Sequence, residues 1–169
     1  MHAEYGFVST PDGQFCVVTD SMTHKILASG WTENVSELVG LIHRDLRPLS
    51  MRKATVSLSI QNVISAYYGG QFAGILTVPL LQQATDFRMS VWSALRRIPS
   101  GSPVSYTTLA QMSGHEGAVR AVASACANNP VALFVPCHRV IRSDGSYGGF
   151  RYGLAVKRSL LTREVAHNN

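Results

Sequence analysis

The stretch AVRAVASACANNPVALFVPCHRVI, residues 118–141, changes its periodicity partway along. Its first ten residues read as a helix with Val119, Val122 and Cys126 on one face. Arg120, Ala123, Ser124 and Ala127 fall on another face, with Ala121 beside them, and only Arg120 there carries a long polar side chain. Asn128, Asn129 and Pro130 end the helix, and an apolar run leads to Pro136 and Cys137. Pro136 fixes its own φ and drives Val135 into an extended conformation, so Cys137 is expected where a buried strand ends. Neighbours in an extended segment point to opposite sides. The His138 imidazole is therefore expected to reach the Cys137 sulfur through a water.

Working outward toward the N-terminus, residues 106–113 read as a second short helix, separated from the first by Gly114-His115-Glu116-Gly117. Two short helices around a tight glycine turn have the layout of a helix-turn-helix. A longer helix is expected from an N-cap at Thr85 to the break at Ile98-Pro99-Ser100-Gly101, burying Phe87, Val91, Trp92 and Leu95. In the other direction, a glycine-bearing loop precedes a last helix over 154–166. Leu154, Leu161 and Val165 are expected to form its apolar stripe. Glu164 sits at the edge of that stripe, where a carboxylate needs a partner to offset desolvation. His138 can serve, which would make Cys137, a water, His138 and Glu164 a chain that withdraws a proton from the thiol.

Residues 1–84 read differently. Strands are expected over 4–9 and 14–19 around the turn signal Pro11-Asp12-Gly13, with a third over 25–31. Val35, Leu38, Val39, Ile42 and Leu46 recur at helical spacing, as do Ile60, Val63, Ile64 and Tyr67 before Gly69-Gly70. A further strand is expected over 72–78, closed by Pro79. The fold class is α+β. A strand-rich structural lobe, residues 1–84, is expected to pack on a mainly helical domain, residues 85–169, that holds the helix-turn-helix and the cysteine.

Composition limits what such a chain does. Hydrophobic residues are 46% and charged residues 15% of its 169 residues, the balance of a folded protein rather than a disordered one. No apolar run is long enough for a membrane span, and the N-terminus lacks the pattern of a secretion signal. The three cysteines, at 16, 126 and 137, form no CxxC, which points to free thiols in a reducing cytoplasm. Cys16, His24 and His43 stand apart from one another in sequence, so no metal is expected. Residues 86–169 hold ten basic against four acidic side chains, whereas residues 1–85 hold five against six. A polyanion on the second half would explain that asymmetry, and so would a solvated basic surface; charge alone does not choose.

Chemistry narrows the choice. A major-groove reader needs several donors and acceptors on its recognition helix, and the face with Arg120 has almost none. A smooth, narrow face suits the minor groove and binding with little sequence preference, with Arg120 able to fill the gap left by a displaced base. The plainer alternatives are an alanine-rich core helix with a solvated arginine, and a buried structural cysteine at 137.

PCHRVI at 136–141 resembles the active-site motif of the O6-alkylguanine-DNA alkyltransferases. FRMSVWSALRRIPSGSPVSY, AVRAVASACANNP and GGFRYGLAVKRSLLTRE are similar to segments of the same family in the same order, covering nearly all of 85–166. The wording AVRAVASACA is especially similar to the C-terminal alkyltransferase domain of the bacterial adaptive-response protein. The resemblance implies direct reversal of O6-methylguanine, and of O4-methylthymine, in double-stranded DNA by a monomer without cofactor. On this likeness Cys137 takes the alkyl group from a flipped-out base, His138 takes the thiol proton through water, and Glu164 orients His138. Tyr106 donates to guanine N3 and crowds the flanking phosphate. Arg120 fills the vacated stack, and Ala121, Ser124 and Ala127 face the DNA. Asn129 braces the turn into the motif. The carbonyls of Cys137 and Val140 accept from the guanine 2-amino group, and Pro136, Phe150 and Arg151 line the pocket. Many relatives carry tyrosine where this chain has Phe150, which opens the question of which alkyl groups fit. Relatives that bind alkylated DNA without repairing it are the alternative; they replace the nucleophile, which this chain retains.

Overall fold

The structure is a computed structural model that describes residues 1–167. It divides into two compact units, one of residues 1–83 with 130–134, the other of residues 84–129 with the chain from 135 onward. The segment 130–134 thus belongs with the sheet-bearing unit, although it lies inside the sequence of the other.

In the first unit, β1 (His2–Thr10) and β2 (Gly13–Asp20) form a hairpin whose closing pair is Thr10 and Gly13. Pro11 and Asp12 make the loop, and Gly13 takes a φ of +104° that a residue with a Cβ rarely adopts. Thr10 locks the turn, its hydroxyl donating to the Gly13 carbonyl at 2.7 Å. β3 (Ile26–Gly30) pairs antiparallel with β2. Helix α1 (Val35–Leu41) follows, capped by the Asn34 side chain, which accepts from Ser36 N at 3.2 Å. The helical spacing read as far as Leu46 is broken in the structure at Ile42, whose backbone is extended, and Arg44–Leu46 forms a separate 3-10 turn. The His43 ring caps that turn by accepting from Asp45 N.

β4 (Ser50–Lys53) then adds to the sheet parallel to β1, giving the order β3-β2-β1-β4. Nothing in Ser50-Met51-Arg52-Lys53 alternates apolar and polar, because this edge strand buries neither face, and the sequence pattern therefore missed it. Helix α2 (Leu58–Tyr68) buries Ile60, Ile64 and Tyr67 and ends at Gly69. The strand expected over 72–78 is instead a 3-10 turn, Ala73–Leu76. Gln71 N bonds back to the Ala66 carbonyl at 2.8 Å, which curls the chain over the end of α2 before it can extend. Extended pairing comes after Pro79, where Ile26 N donates to the Pro79 carbonyl and Leu81 N to that of Ile26. Residues 130–134 complete this unit: Ser29 N donates to the Pro130 carbonyl, and Phe134 packs on Phe15 with ring centres 6.2 Å apart.

The second unit starts with α3 (Asp86–Leu95), capped by Thr85, which accepts from Arg88 N at 3.3 Å. It buries Val91, Trp92, Ala94 and Leu95 and leaves Phe87 half-buried. β5 (Val104–Ser105) leads directly into α4 (Tyr106–Met112), and Ser105 Oγ caps that helix by accepting from Thr108 N at 3.0 Å. Gly114 and Gly117, at φ of +79° and +86°, carry the turn into α5 (Val119–Ala127). His115 in that turn stacks on Phe87 and bonds Ser90 Oγ through Nε2, tying the turn to α3. Trp92 Nε1 donates to the Ala125 carbonyl and ties α5 to the same helix. β6 (Val140–Ile141) pairs parallel with β5, and α6 (Leu154–His167) closes the unit.

The apolar stripe expected on α6 requires correction. Leu154 and Val165 are 50% and 43% exposed, and the buried face is Lys157, Leu160, Leu161 and Glu164. Two of those four carry charge, so the helix turns ionic side chains inward. Among the described residues, no helix is long and apolar enough to cross a membrane.

Candidate active site

The turn that carries the cysteine is built by Pro136. With φ −80° and ψ +67° it occupies the centre of an inverse γ-turn, and Cys137 N donates to the Val135 carbonyl at 2.8 Å. Cys137–Arg139 then forms one 3-10 turn, closed by Arg139 N on the Pro136 carbonyl at 3.1 Å. The expected extended segment is therefore absent here, and the side chains of Cys137 and His138 diverge because consecutive residues of a 3-10 turn are about 120° apart. Cys137 is largely buried but retains some exposure, whereas His138 and Arg139 are buried outright.

Behind the cysteine stands a closed ionic cluster. His138 Nε2 lies 2.7 Å from Glu164 Oε2. Arg139 Nε donates to Glu164 Oε1 at 2.8 Å, Nη2 donates to Oε2 at 3.2 Å, and Nη1 donates to the Ile98 carbonyl at 2.9 Å. Burial alone would raise the Glu164 carboxyl, but hydrogen bonds and charge from His138 and Arg139 outweigh it and hold it down at about 2. Burial pushes the His138 imidazole down, against the upward pull of Glu164. Arg139 thus supplies the permanent cation of the cluster and His138 is neutral at rest. Because a carboxylate only accepts, Nε2 of a neutral His138 carries the proton, which leaves Nδ1 as the basic nitrogen.

Of the other expected residues, Asn129, Tyr106 and Arg151 lie within electrostatic reach of Cys137. Asn129 is buried, and its Nδ2 donates to the Val135 carbonyl at 2.9 Å, which fixes the segment entering the γ-turn. Burial raises the Cys137 thiol, while hydrogen bonding from the Asn129 side chain and the nearby charge of Lys157 favour the thiolate. Tyr106, first residue of α4, is half-buried, and burial followed by the neighbouring thiols pushes its phenol up to about 12. It stays a proton donor at neutral pH. Gly148, at φ +70°, comes so close that an added Cβ would lie 3.2 Å from the Tyr106 ring. Val140 is buried beside the turn, and Phe150 packs edge-on against Tyr152 with centres 5.6 Å apart. Arg151 Nη2 donates to the Ala127 carbonyl at 2.8 Å, joining the glycine-bearing loop to the end of α5.

On α5 the outward residues are Arg120, Ala121, Ser124 and Ala127, all exposed, while Val122, Ala125 and Cys126 are buried. Val119 and Ala123 are half-buried.

Two residues of the site escaped the sequence reading. Arg139 stood in the motif without a partner, and its bidentate grip on Glu164 needed the fold to appear. Lys157 is fully buried, its ammonium donating to main-chain carbonyls of Val140, Tyr147 and Gly149. The available signal was spacing, since Lys157, Leu160, Leu161 and Glu164 share one helical face. Among the described residues, no group of three or more His, Cys, Asp or Glu side chains could hold a metal ion.

A family model described as 6-O-methylguanine DNA methyltransferase, DNA binding domain, matches residues 86–166. Over 159 residues the chain is 34% identical to the methylated-DNA–protein-cysteine methyltransferase of Shigella flexneri, covering 93% of this chain and 92% of that one. Over 90 residues it is 54% identical to the bifunctional transcriptional activator/DNA repair enzyme Ada of Escherichia coli K12. That match takes in 53% of this chain and 25% of Ada, so it spans about a quarter of that relative's length. The crystal structure of Mycobacterium tuberculosis OGT in complex with DNA aligns with a TM-score of 0.79 at 29% identity, covering 97% of this chain and 94% of that one.

Proposed function

The chain belongs to the methylated-DNA–protein-cysteine methyltransferase family, and from that premise we propose that it repairs DNA by moving the alkyl group of O6-alkylguanine once, irreversibly, onto its own Cys137. The observation that carries this reading is a largely buried thiol that retains some exposure beside a sealed His138–Glu164–Arg139 cluster. Such a cluster offers the thiol proton an acceptor, the neutral His138 imidazole.

In the proposed reaction the damaged base leaves the duplex and enters the pocket. A water carries the Cys137 proton to His138 Nδ1, and Glu164, held ionised by Arg139, stabilises the imidazolium that results. Sulfur forms a bond to the alkyl carbon as the carbon–O6 bond breaks, and the electron pair goes to the purine. Tyr106 lends a proton at N3 so that guanine departs neutral; solvent later restores Tyr106 and removes the proton from His138. The carbonyls of Cys137 and Val140 accept from the 2-amino group. The product is a thioether, which offers no leaving group, so each molecule acts once.

Duplex DNA is the partner this reading requires, held by the α4–α5 pair acting as a helix-turn-helix with α5 in the minor groove. Arg120 stands in for the extruded base. The short side chains of Ala121, Ser124 and Ala127 permit close approach to the sugar-phosphate wall without reading sequence. Binding weakens as salt rises, because neutralised phosphates release counterions. O4-methylthymine is a second substrate, the protein works as a monomer, and its free thiols suit the reducing cytoplasm. Residues 1–84 serve as a structural lobe and residues 85–169 as the DNA-binding and alkyl-acceptor part.

The test is a duplex carrying O6-methylguanine labelled in the methyl group, followed by peptide mapping. One label per protein on Cys137, with Cys137→Ser binding DNA but accepting none, is the expected result. Continuing turnover, or label on another residue, would reject the reading.

A further inference from the structure

Lys157 is a buried charge close enough to favour the Cys137 thiolate, yet the reaction above assigns it no step of its own. None of its surface reaches solvent, and among the described residues no ion pair involves it. Its Nζ donates instead to the carbonyls of Val140 at 2.7 Å, of Tyr147, and of Gly149 at 3.4 Å, with the Tyr106 ring centre 6.0 Å away. An ammonium has three protons, so these three carbonyls take its whole donor capacity. A buried cation met by main-chain dipoles and a ring face, with no carboxylate among the described residues to pair with it, is costly, and burial pushes its pKa down. A methionine would occupy similar space without that cost. What the cation supplies is convergence: one carbonyl from β6 and two from the loop that follows are held on a single point.

The Val140 carbonyl has two lone pairs. Lys157 occupies one, so its bond alone does not exhaust the acceptor and fixes the angle at which a further donor must approach. We propose that Lys157 is a positioning residue that aims the Val140 carbonyl and the 147–149 wall so that, among purines, the pocket favours those bearing a 2-amino group. This rests on the alkyl-transfer reading given above. Lys157 touches no reacting atom; it acts through the carbonyl that receives the base. A base without the 2-amino group makes no use of that carbonyl, and its repair is indifferent to how well the carbonyl is aimed.

The experiment compares two duplexes of one sequence, carrying either O6-methylguanine or O6-methylhypoxanthine, which lacks the 2-amino group. Single-turnover rate constants are measured for the wild type, Lys157→Met and Lys157→Gln, with methyl transfer confirmed by mass. The readout is the ratio of the two rate constants, because any loss of folded protein lowers both alike and cancels. The wild type should prefer O6-methylguanine by about tenfold, the scale of one hydrogen bond, and Lys157→Met should bring the ratio close to one. Lys157→Gln, which keeps a donor, should fall between. A wild-type ratio near one overturns the proposal without any variant, as does a preference that Lys157→Met leaves unchanged. Absence of transfer from both bases would instead strike the alkyl-transfer reading itself.

Discussion

In the sheet-bearing unit, Phe15, Val17, Val18, Ile26, Leu27 and Ala28 are buried among apolar neighbours. Its buried polar residues, Asp20 and Ser29, serve backbone near and far in sequence: Asp20 accepts from Met22 N and Thr23 N, and Ser29 donates to the Ala132 carbonyl. In the other unit Asn129, His138, Arg139, Lys157 and Glu164 are all buried around one turn. A core of the first kind gains from hydrophobic burial and close packing, and small errors cost in proportion to lost volume. A core of the second kind holds charges that water would solvate better, and it persists only while each has its partner. The difference teaches that one interior rests on apolar packing and the other on matched charges, so substitutions in each should fail in recognisably different ways.

The sharpest break of that contrast is Glu164→Gln. It leaves the buried Arg139 without a carboxylate and should lower unfolding free energy by about 4 kcal/mol, while also slowing methyl transfer per folded molecule. Chemical denaturation and single-turnover kinetics on the same preparation check both halves. Leu38→Ala in the sheet-bearing unit removes a fully buried side chain of α1. It should cost about 3 kcal/mol yet leave the transfer rate per folded molecule unchanged. A rate loss there would erase the separation between the two interiors.

Acid provides a graded version of the comparison. The Glu164 carboxyl sits at about 2 in the fold, below the usual carboxylate value, so its contribution is present above about pH 4.3 and disappears as pH falls through about 2. The His138 pKa is also lowered, so the neutral imidazole favours the fold above about pH 6.5 and that favour is lost as pH drops below it. Followed downward from neutral pH, amide protection relative to intrinsic exchange should therefore fall around Val140 and Leu161 before it does at Val17 and Ala28. A simultaneous fall in protection in both places would contradict the assignment. The smallest expected effect is Ser105→Ala, which removes the cap of α4 and should cost about 1 kcal/mol by thermal or chemical unfolding.

How much of this was legible in the sequence also differs between the units. The hairpin around Pro11-Asp12-Gly13 and the helices of α2 and α3 follow from turn chemistry and apolar period, both local signals. β4 was invisible because an edge strand need not alternate, and 73–76 misled because a hydrogen bond from Gln71 back to Ala66 overrides an extended-looking run. At the site, the pairing of His138 with Glu164 could be argued from the motif and from the place of Glu164 on its helix. The supposed stripe through Leu154 and Val165 could not survive, because apolar side chains were assumed to face inward and α6 turns Lys157 and Glu164 inward instead. Arg139 and Lys157 are satisfied by groups distant in sequence, a carboxylate on α6 and loop carbonyls respectively, and nothing local announces such partners.

The γ-turn at Pro136 carries a last consequence. Because the Cys137 amide is already committed to the Val135 carbonyl, it cannot turn toward the oxygen of an acyl substrate. Cysteine hydrolases rely on donors placed at that position to hold the anion of a tetrahedral intermediate. Displacement at a saturated carbon generates no such anion and loses nothing by the arrangement. Converting this thiol into a turning-over esterase would require unlocking that amide first, so one main-chain hydrogen bond weighs against acyl transfer at Cys137.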